Sequence, residues 1–295
     1  MNNRLLISGG TGYVGSKIAA VLSDSGYEVV VLTRRLPPSR SPGVRYVIHD
    51  MTSRSIASAL EDARAETVIH AAARYVRRHE AVDVGSMIEA NFTIGVLMLE
   101  AAARIGVSRF LYTGSFFQHS GSPPHLPRNL YAALKNAFEE ILNYYATVEQ
   151  IDGVSLTLCD VYGEDDPRPR LFTAAIAAAI NGSTLRISKQ EAYLVPVHID
   201  DVTAAVKAAL AHPFANQTFW VGPDAAVKLS DVLATISSLT GAILRIERAD
   251  LPGLPGDTLA PLPGVPIPGW SPSVSLEEGL LRMIKAYQAN GEAKQ

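Results

Sequence analysis

The stretch Leu5-Leu6-Ile7-Ser8-Gly9-Gly10-Thr11-Gly12-Tyr13-Val14-Gly15 constrains this chain most, because it runs an apolar strand directly into a glycine loop that opens a helix. Gly9 and Gly12 let the backbone turn tightly and approach a pyrophosphate, and Gly15 lets the helix pack against its strand. Thr11, Tyr13 and Val14 then stand at the helix N-terminus, whose unpaired N–H groups and positive dipole end bind an anion without any cationic side chain. A glycine pattern alone also fits a plain tight turn. Here a helix of about Tyr13 to Ser25 follows and Glu28 to Leu32 supplies a second strand, so the βαβ context favours a dinucleotide cradle.

The rest of the chain is consistent with one large α/β domain and a smaller appendage, which 295 residues can build around a sizeable core. Lys and Arg number 26 against 29 Asp and Glu, a net charge of −3, so nucleic acid is not an expected partner. A single cysteine, Cys159, excludes an internal disulfide framework, and no charged-then-apolar leader opens the sequence; a cytoplasmic location is the expectation. The longest apolar-rich run, Leu171 to Ile180, is about half of what a membrane-spanning helix needs, so no membrane partner is expected either. No metal site is anticipated.

Strands and helices alternate along the chain. Arg34 to Gly43 is a Pro- and Arg-rich loop, Arg45 to Ile48 a third strand, and Asp50 and Met51 leave it before a Thr- or Ser-capped helix that runs to about Ala63. Thr67 to His70 is a fourth strand spilling into Ala71-Ala72-Ala73, where small side chains either leave room for a ligand or permit a close strand–helix crossing. After the charged segment Arg74 to Asp83, a helix from about Gly85 to Ile105 carries Asn91, and Arg109 to Thr113 forms a fifth strand ending in Gly114-Ser115. A His-, Pro- and Ser-rich loop leads to a helix from Asn129 to Ala146. Tyr131 and Lys135 share one face of it. Val154 to Cys159 is a sixth strand. Such alternation predicts a parallel, doubly wound sheet with its ligand crevice at the carboxyl ends of the strands. Residues 1–165 make the dinucleotide-binding part, to which 193–221 return, while 166–192 and 222–295 form a smaller substrate-binding portion. Residues 251–272 are dense in Pro and Gly and read as an irregular lid or pocket wall.

The order of these pieces resembles the extended short-chain dehydrogenase/reductases of the nucleotide-sugar epimerase/dehydratase group, over nearly the whole chain. The matches are Gly9-x-x-Gly12-x-x-Gly15, Asp50, His70-Ala71-Ala72-Ala73, Asn91, Ser115, Tyr131-x-x-x-Lys135, Val161-Tyr162-Gly163 and His198-Ile199-Asp200-Asp201-Val202. A Tyr and a Lys four apart on a helix are by themselves an ordinary solvated pair. The resemblance implies an NAD(P)-dependent oxidoreductase, a homodimer, in which Lys135 holds the nicotinamide ribose and Asn91, Thr113 and the alanines border the cofactor.

Independently of any family, hydride exchange between nicotinamide and a carbinol carbon needs a group that gives or takes the hydroxyl proton. Tyr131 qualifies if its phenol, near 10 when free, is drawn toward neutrality by the Lys135 ammonium, and Ser115 can bond the same substrate oxygen. The family's dehydratases carry an Asp-Glu pair after the fifth strand; Thr113 to Phe117 holds no carboxylate, which argues against elimination of water. Phe117, His119 and Asp160 are candidate substrate contacts. His119 also reads as an exposed loop residue, and a carboxylate at 160, where many members carry Asn, could repel a diphosphate. The second strand ends in Leu32-Thr33-Arg34-Arg35, without the acid of an NAD site, so Thr33 and Arg34 favour NADP(H), with NAD(H) possible; the arginines also suit a solvated basic loop. Asp50 and Met51 are expected to border the adenine, with Asp50 accepting from its exocyclic amine, unless Asp50 instead caps the next helix. Reduction of a keto group on a nucleotide-linked deoxysugar leads, ahead of a sugar epimerase with retained NAD and a non-catalytic dinucleotide sensor.

Overall fold

A computed structural model describes residues 3–119, 127–149, 151–168, 170–212, 214, 216–251, 253 and 263–292. The chain begins β1 (Arg4–Ser8), α1 (Tyr13–Asp24), β2 (Glu28–Thr33), β3 (Val44–Ile48), α2 (Ser53–Ala63) and β4 (Thr67–His70). Next come α3 (Ala81–Ile88), a π-helical turn (Glu89–Thr93), α4 (Ile94–Ile105), β5 (Arg109–Ser115) and α5 (Leu130–Val148). There follow β6 (Asp152–Leu158), β7 (Asp160–Tyr162), α6 (Leu171–Asn181), β8 (Thr184–Ser188), β9 (Tyr193–Leu194), β10 (Pro196–His198) and α7 (Ile199–Ala211). The chain closes with β11 (Gln217–Val221), β12 (Val227–Lys228), α8 (Leu229–Thr240), β13 (Arg245–Ala249) and α9 (Leu276–Glu292).

Seven strands form one sheet in the order β11-β6-β5-β4-β1-β2-β3, every neighbouring pair parallel. The doubly wound architecture follows from how the strands alternate: Leu5, Ile7, Val29, Val31, Ile69 and Leu111 pack on one face, beneath α1 and α7. Leu6, Val30, Leu32, Val68, Phe110 and Tyr112 pack on the other, beneath α2, α4 and α5. Strands apolar on both faces are what a sheet covered by two helical layers requires. The strand order reverses between β1 and β4, and the crevice opens there at their carboxyl ends.

Several boundaries differ from the sequence expectation. The long helix starts at Ala81 and not near Gly85, because the Asp83 carboxylate accepts from the Glu80 backbone N–H at 3.1 Å and caps it. Ala81 to Ile105 is consequently one helical rod, long and apolar enough by composition to cross a membrane, so Leu171 to Ile180 is not the longest apolar helix. Met87, Ile94, Met98, Leu99 and Ala102 of that rod are buried, the α4 residues against the sheet. The fifth strand continues through Ser115, and the sixth stops at Leu158.

A separate apolar cluster joins Tyr162, Phe172 and Ile176 of α6, Leu185 and Ile187 of β8, Val232 and Ile236 of α8, and Leu280 and Ile284 of α9. Ile267 and Trp270 pack instead with the first sheet face, and Trp220 N–H donates to the Val265 carbonyl at 2.6 Å. Much of the Pro- and Gly-dense 251–272 stretch, and residues 120–126 of the loop before α5, lie outside the described residues.

Candidate active site

The glycine loop sits where β1 turns into α1. Gly9 adopts φ +74°, and a Cβ there would strike the backbone of Ala71 and Ala72, so the small residues after β4 and this glycine permit each other's approach. At Gly15 a Cβ would collide with the Gly9 carbonyl. Gly12 is different: the nearest atom to a Cβ is the Gly9 oxygen at 3.4 Å, and its φ of −86° suits any residue. Folding does not require glycine at 12. A bare approach to the N-terminus of α1 does require it, and the cap carries no side-chain bond that would occupy those N–H groups. This fits a dinucleotide pyrophosphate. Gly12 N–H donates to Gly9 O at 2.9 Å and Ala71 N–H to Ser8 O at 3.0 Å, fixing both walls. Thr11 is exposed, Val14 and Ala72 half-buried, Ala73 exposed, while the Tyr13 ring is buried and its hydroxyl donates to Glu164 O at 3.1 Å.

Thr11, Thr33, Arg34 and Arg35 line a cavity of about 500 Å³ beside this loop. The Thr33 hydroxyl donates to the Arg35 carbonyl at 2.7 Å, so it shapes the turn of the two arginines and is not a free donor for a phosphate. Nor does the Arg34 guanidinium stand alone: it donates to the Glu89 carboxylate at 2.6 Å, bringing the π-turn after α3 to the end of β2. At the end of β3, one Asp50 oxygen accepts from Thr52 N–H at 2.9 Å, from the Thr52 hydroxyl at 2.6 Å and from the Ser55 hydroxyl at 2.6 Å. Those bonds hold the carboxyl well below its usual range. The cap of α2 itself is Thr52, and Met51 beside Asp50 takes φ +68°.

Asn91 turns inward from the π-turn. Its amide donates to Arg74 O and Met87 O, both at 2.9 Å, and accepts from Arg74 N–H at 3.1 Å. With these bonds it clamps the backbone that follows Ala73.

Ser115 ends β5, and Tyr131 and Lys135 face it from the first turns of α5, whose cap is the Asn129 side chain accepting from Ala132 N–H at 3.0 Å. The Ser115 hydroxyl accepts from Phe117 N–H at 3.3 Å and lowers the proton affinity of the Tyr131 phenol. Lys135 Nζ donates to the Thr113 carbonyl at 2.8 Å and lies 5.9 Å from the Tyr131 ring centroid. The Thr113 hydroxyl reaches His70 O at 3.3 Å. Electrostatics depart from expectation here. Burial pushes the Tyr131 phenol up to about 12, against a lowering by Ser115 and by the Arg170 and Arg168 charges, and it pulls the Lys135 ammonium down to about 7. Burial thus acts on the two groups in opposite senses, favouring the neutral form of each.

Beneath this set lies a buried carboxylate that sequence reasoning missed. Glu139 accepts from Gln118 Nε2 at 2.6 Å and from the Thr218 hydroxyl at 2.9 Å, and His119 Nε2 is 3.5 Å away. Gln118 Oε1 in turn accepts from Ser115 N–H at 2.6 Å. Its signal was present: Tyr131, Lys135 and Glu139 repeat every four residues along one helix face. His119, with 45% of its side chain exposed, is thus a rim residue tied to Glu139.

Aromatic and cationic groups from distant segments complete the wall. The Tyr75 ring meets Tyr131 edge-on at 5.1 Å and Phe117 at 6.1 Å, with the Arg170 guanidinium 4.6 Å over Tyr75 and that of Arg128 4.6 Å over Phe117. Nothing local in the sequence marks Tyr75, Arg128 or Arg170. Asp160 does not face the crevice as a bare charge, since its carboxylate accepts from Val195 N–H at 2.8 Å and joins β7 to the strand before α7.

The profile of the NAD dependent epimerase/dehydratase family matches residues 5–222. Among curated relatives, the chain is 28% identical to a CDP-abequose synthase of Yersinia pseudotuberculosis, over 69% of this chain and 71% of the relative. It is 26% identical to a dTDP-6-deoxy-L-talose 4-dehydrogenase (NAD(P)(+)) of Kitasatospora kifunensis, over 84% and 83%. The crystal structure of Thermus thermophilus UDP-glucose 4-epimerase in complex with NAD superposes with a TM-score of 0.83 at 25% identity, covering 97% of this chain and 99% of that one. A doubly wound sheet, a glycine loop kept bare at Gly12 and a Ser-Tyr-Lys set at the crevice accompany a profile match over most of the chain, and the chain belongs to the NAD dependent epimerase/dehydratase family.

Proposed function

We propose that the protein reduces a keto group on a nucleotide-linked deoxysugar, using NADPH in preference to NADH. The observation that carries this reading is Tyr131. Its phenol, pushed up to about 12, is protonated throughout the physiological range and is therefore a donor for the alkoxide that forms when a ketone accepts hydride. The Ser115 hydroxyl, which acts on the same phenol, holds the substrate oxygen as charge grows on it. Lys135, anchored on the Thr113 carbonyl, orients the ribose side of the cofactor. Bound nicotinamide supplies the hydride. The smaller portion, residues 166–192 and 222–295, receives the sugar nucleotide.

The lack of a carboxylate between Thr113 and Phe117 speaks against elimination of water. A relative named a 4-dehydrogenase working with NAD(P)(+) supports net redox chemistry on a nucleotide-linked deoxysugar. The epimerase reading has its own support in the Thermus neighbour, which holds NAD. The cavity lined by Thr11, Thr33, Arg34 and Arg35 supports room and charge for a 2′-phosphate.

The test separates the readings. The purified protein should consume NADPH stoichiometrically with a keto-sugar nucleotide, bind NADPH several-fold more tightly than NADH, and lose most of that difference in R34A. Protein isolated with NAD firmly bound, turning over a sugar nucleotide without net change in nicotinamide absorbance, would make it an epimerase.

A further inference from the structure

We infer that Glu89 is the acid that sets cofactor choice in this protein, acting against Arg34 from a different element than the end of β2. The inference deepens the cofactor preference proposed above. NAD sites discriminate against a 2′-phosphate with a carboxylate at the end of the second strand, which repels the phosphate and accepts from the ribose hydroxyls. Here that position is Thr33-Arg34-Arg35, and sequence alone shows no acid.

The fold supplies one. The π-turn Glu89–Thr93 carries Glu89 to Arg34, which lines a cavity with Thr11, Thr33 and Arg35, and its carboxylate takes the Arg34 guanidinium at 2.6 Å. Two further groups share this corner: the charges of Arg34, Glu89 and Asp50 all act on the buried His49. Both members of the pair are solvent-accessible, with side-chain exposures of 65% and 43%. An exposed pair of this kind is held weakly, so it can be exchanged. A 2′-phosphate competes with Glu89 for the Arg34 fork and feels the displaced carboxylate nearby; a 2′-hydroxyl leaves the pair intact and can donate to Glu89. One pair thus tempers the NADPH preference that Arg34 confers and keeps NADH usable.

The experiment measures dissociation constants of NADPH and NADH by quenching of protein fluorescence, for the wild type, E89Q, E89D, R34A and the double variant E89Q/R34A, with circular dichroism as the folding control. E89Q should raise the NADPH-to-NADH affinity ratio about five- to tenfold, the scale of removing one like charge a few ångströms from a phosphate near the surface, while NADH affinity changes by less than about twofold. E89D should keep the wild-type ratio, and in the R34A background the Glu89 substitution should give a smaller gain, since only the like-charge repulsion is left to relieve and no fork is freed. An unchanged ratio in E89Q, or a gain undiminished by the loss of Arg34, overturns the inference. Failure of the NADPH preference is read separately, from the wild-type ratio alone: a protein that favours NADH can still show the E89Q shift.

Discussion

At the scale of single residues, the site is a set of buried polar groups whose proton affinities are set by desolvation more than by each other. Tyr131 and Lys135 move in opposite directions, the phenol up to about 12 and the ammonium down to about 7, because burial penalises the charged form of each. Tyr131→Phe removes the proton donor and keeps the ring against Tyr75. Turnover with a keto-sugar nucleotide should fall about a hundredfold or more, with the NADPH dissociation constant within about twofold of wild type. Lys135→Ala should weaken both binding and turnover, since its Nζ also holds the Thr113 carbonyl. A Phe variant that turned over within a few-fold of wild type would take Tyr131 out of the chemistry.

At the scale of the element, the β1–α1 loop separates glycines that serve packing from one that serves the ligand. A methyl at position 15 meets the Gly9 carbonyl, whereas at position 12 it meets nothing closer than 3.4 Å. Gly15→Ala should therefore lower the melting temperature by several degrees, on the scale of about 1–3 kcal/mol for overpacking. Gly12→Ala should leave it within about 2 °C and weaken NADPH binding tenfold or more, because its methyl stands over the N–H groups that face the pyrophosphate. Thermal unfolding and cofactor titration of the two variants check the contrast; equal losses in both measurements would place Gly12 among the packing glycines. The α3–α4 rod shows the converse case, in which Asn91 spends its amide bonds on the backbone at Arg74 and Met87 and so shapes the crevice.

For the whole molecule, a buried carboxylate ties the sheet to the third apolar cluster, beside the exposed Arg282–Asp200 pair between α9 and α7. Asp201 of α7, 2% exposed, accepts from Ser273 N–H at 2.8 Å, from the Ser273 hydroxyl at 2.9 Å and from Val274 N–H at 3.1 Å, just before α9 begins. Asp201→Ala leaves two backbone donors without their acceptor, a loss of about 2–3 kcal/mol. We expect a lower melting temperature together with faster proteolysis between residues 263 and 276, while the NADPH dissociation constant stays close to wild type, because the three bonds of Asp201 go to the segment before α9 and not to α1. Loss of cofactor binding in parallel would show that this joint also holds the β1–β4 crevice.

By itself the sequence determined the parallel sheet and placed Tyr131 and Lys135 on one helix face, because these rest on local spacing: alternation of strands and helices along the chain and one helical turn between Tyr and Lys; the grouping of Ser115 with them came from the family resemblance. The same spacing carried Glu139, one turn further on. Only the tertiary structure decided what those groups meet. Glu89 reaches Arg34 across 55 positions, and Tyr75, after β4, meets Tyr131 of the helix that follows the neighbouring strand β5. Asn91, Thr33 and Asp160, read as ligand contacts, are drawn into bonds with backbone that is remote or irregular in the chain. The proton affinities belong to this second class as well, since desolvation depends on how many neighbours cover a group, and no periodicity in one dimension records that number.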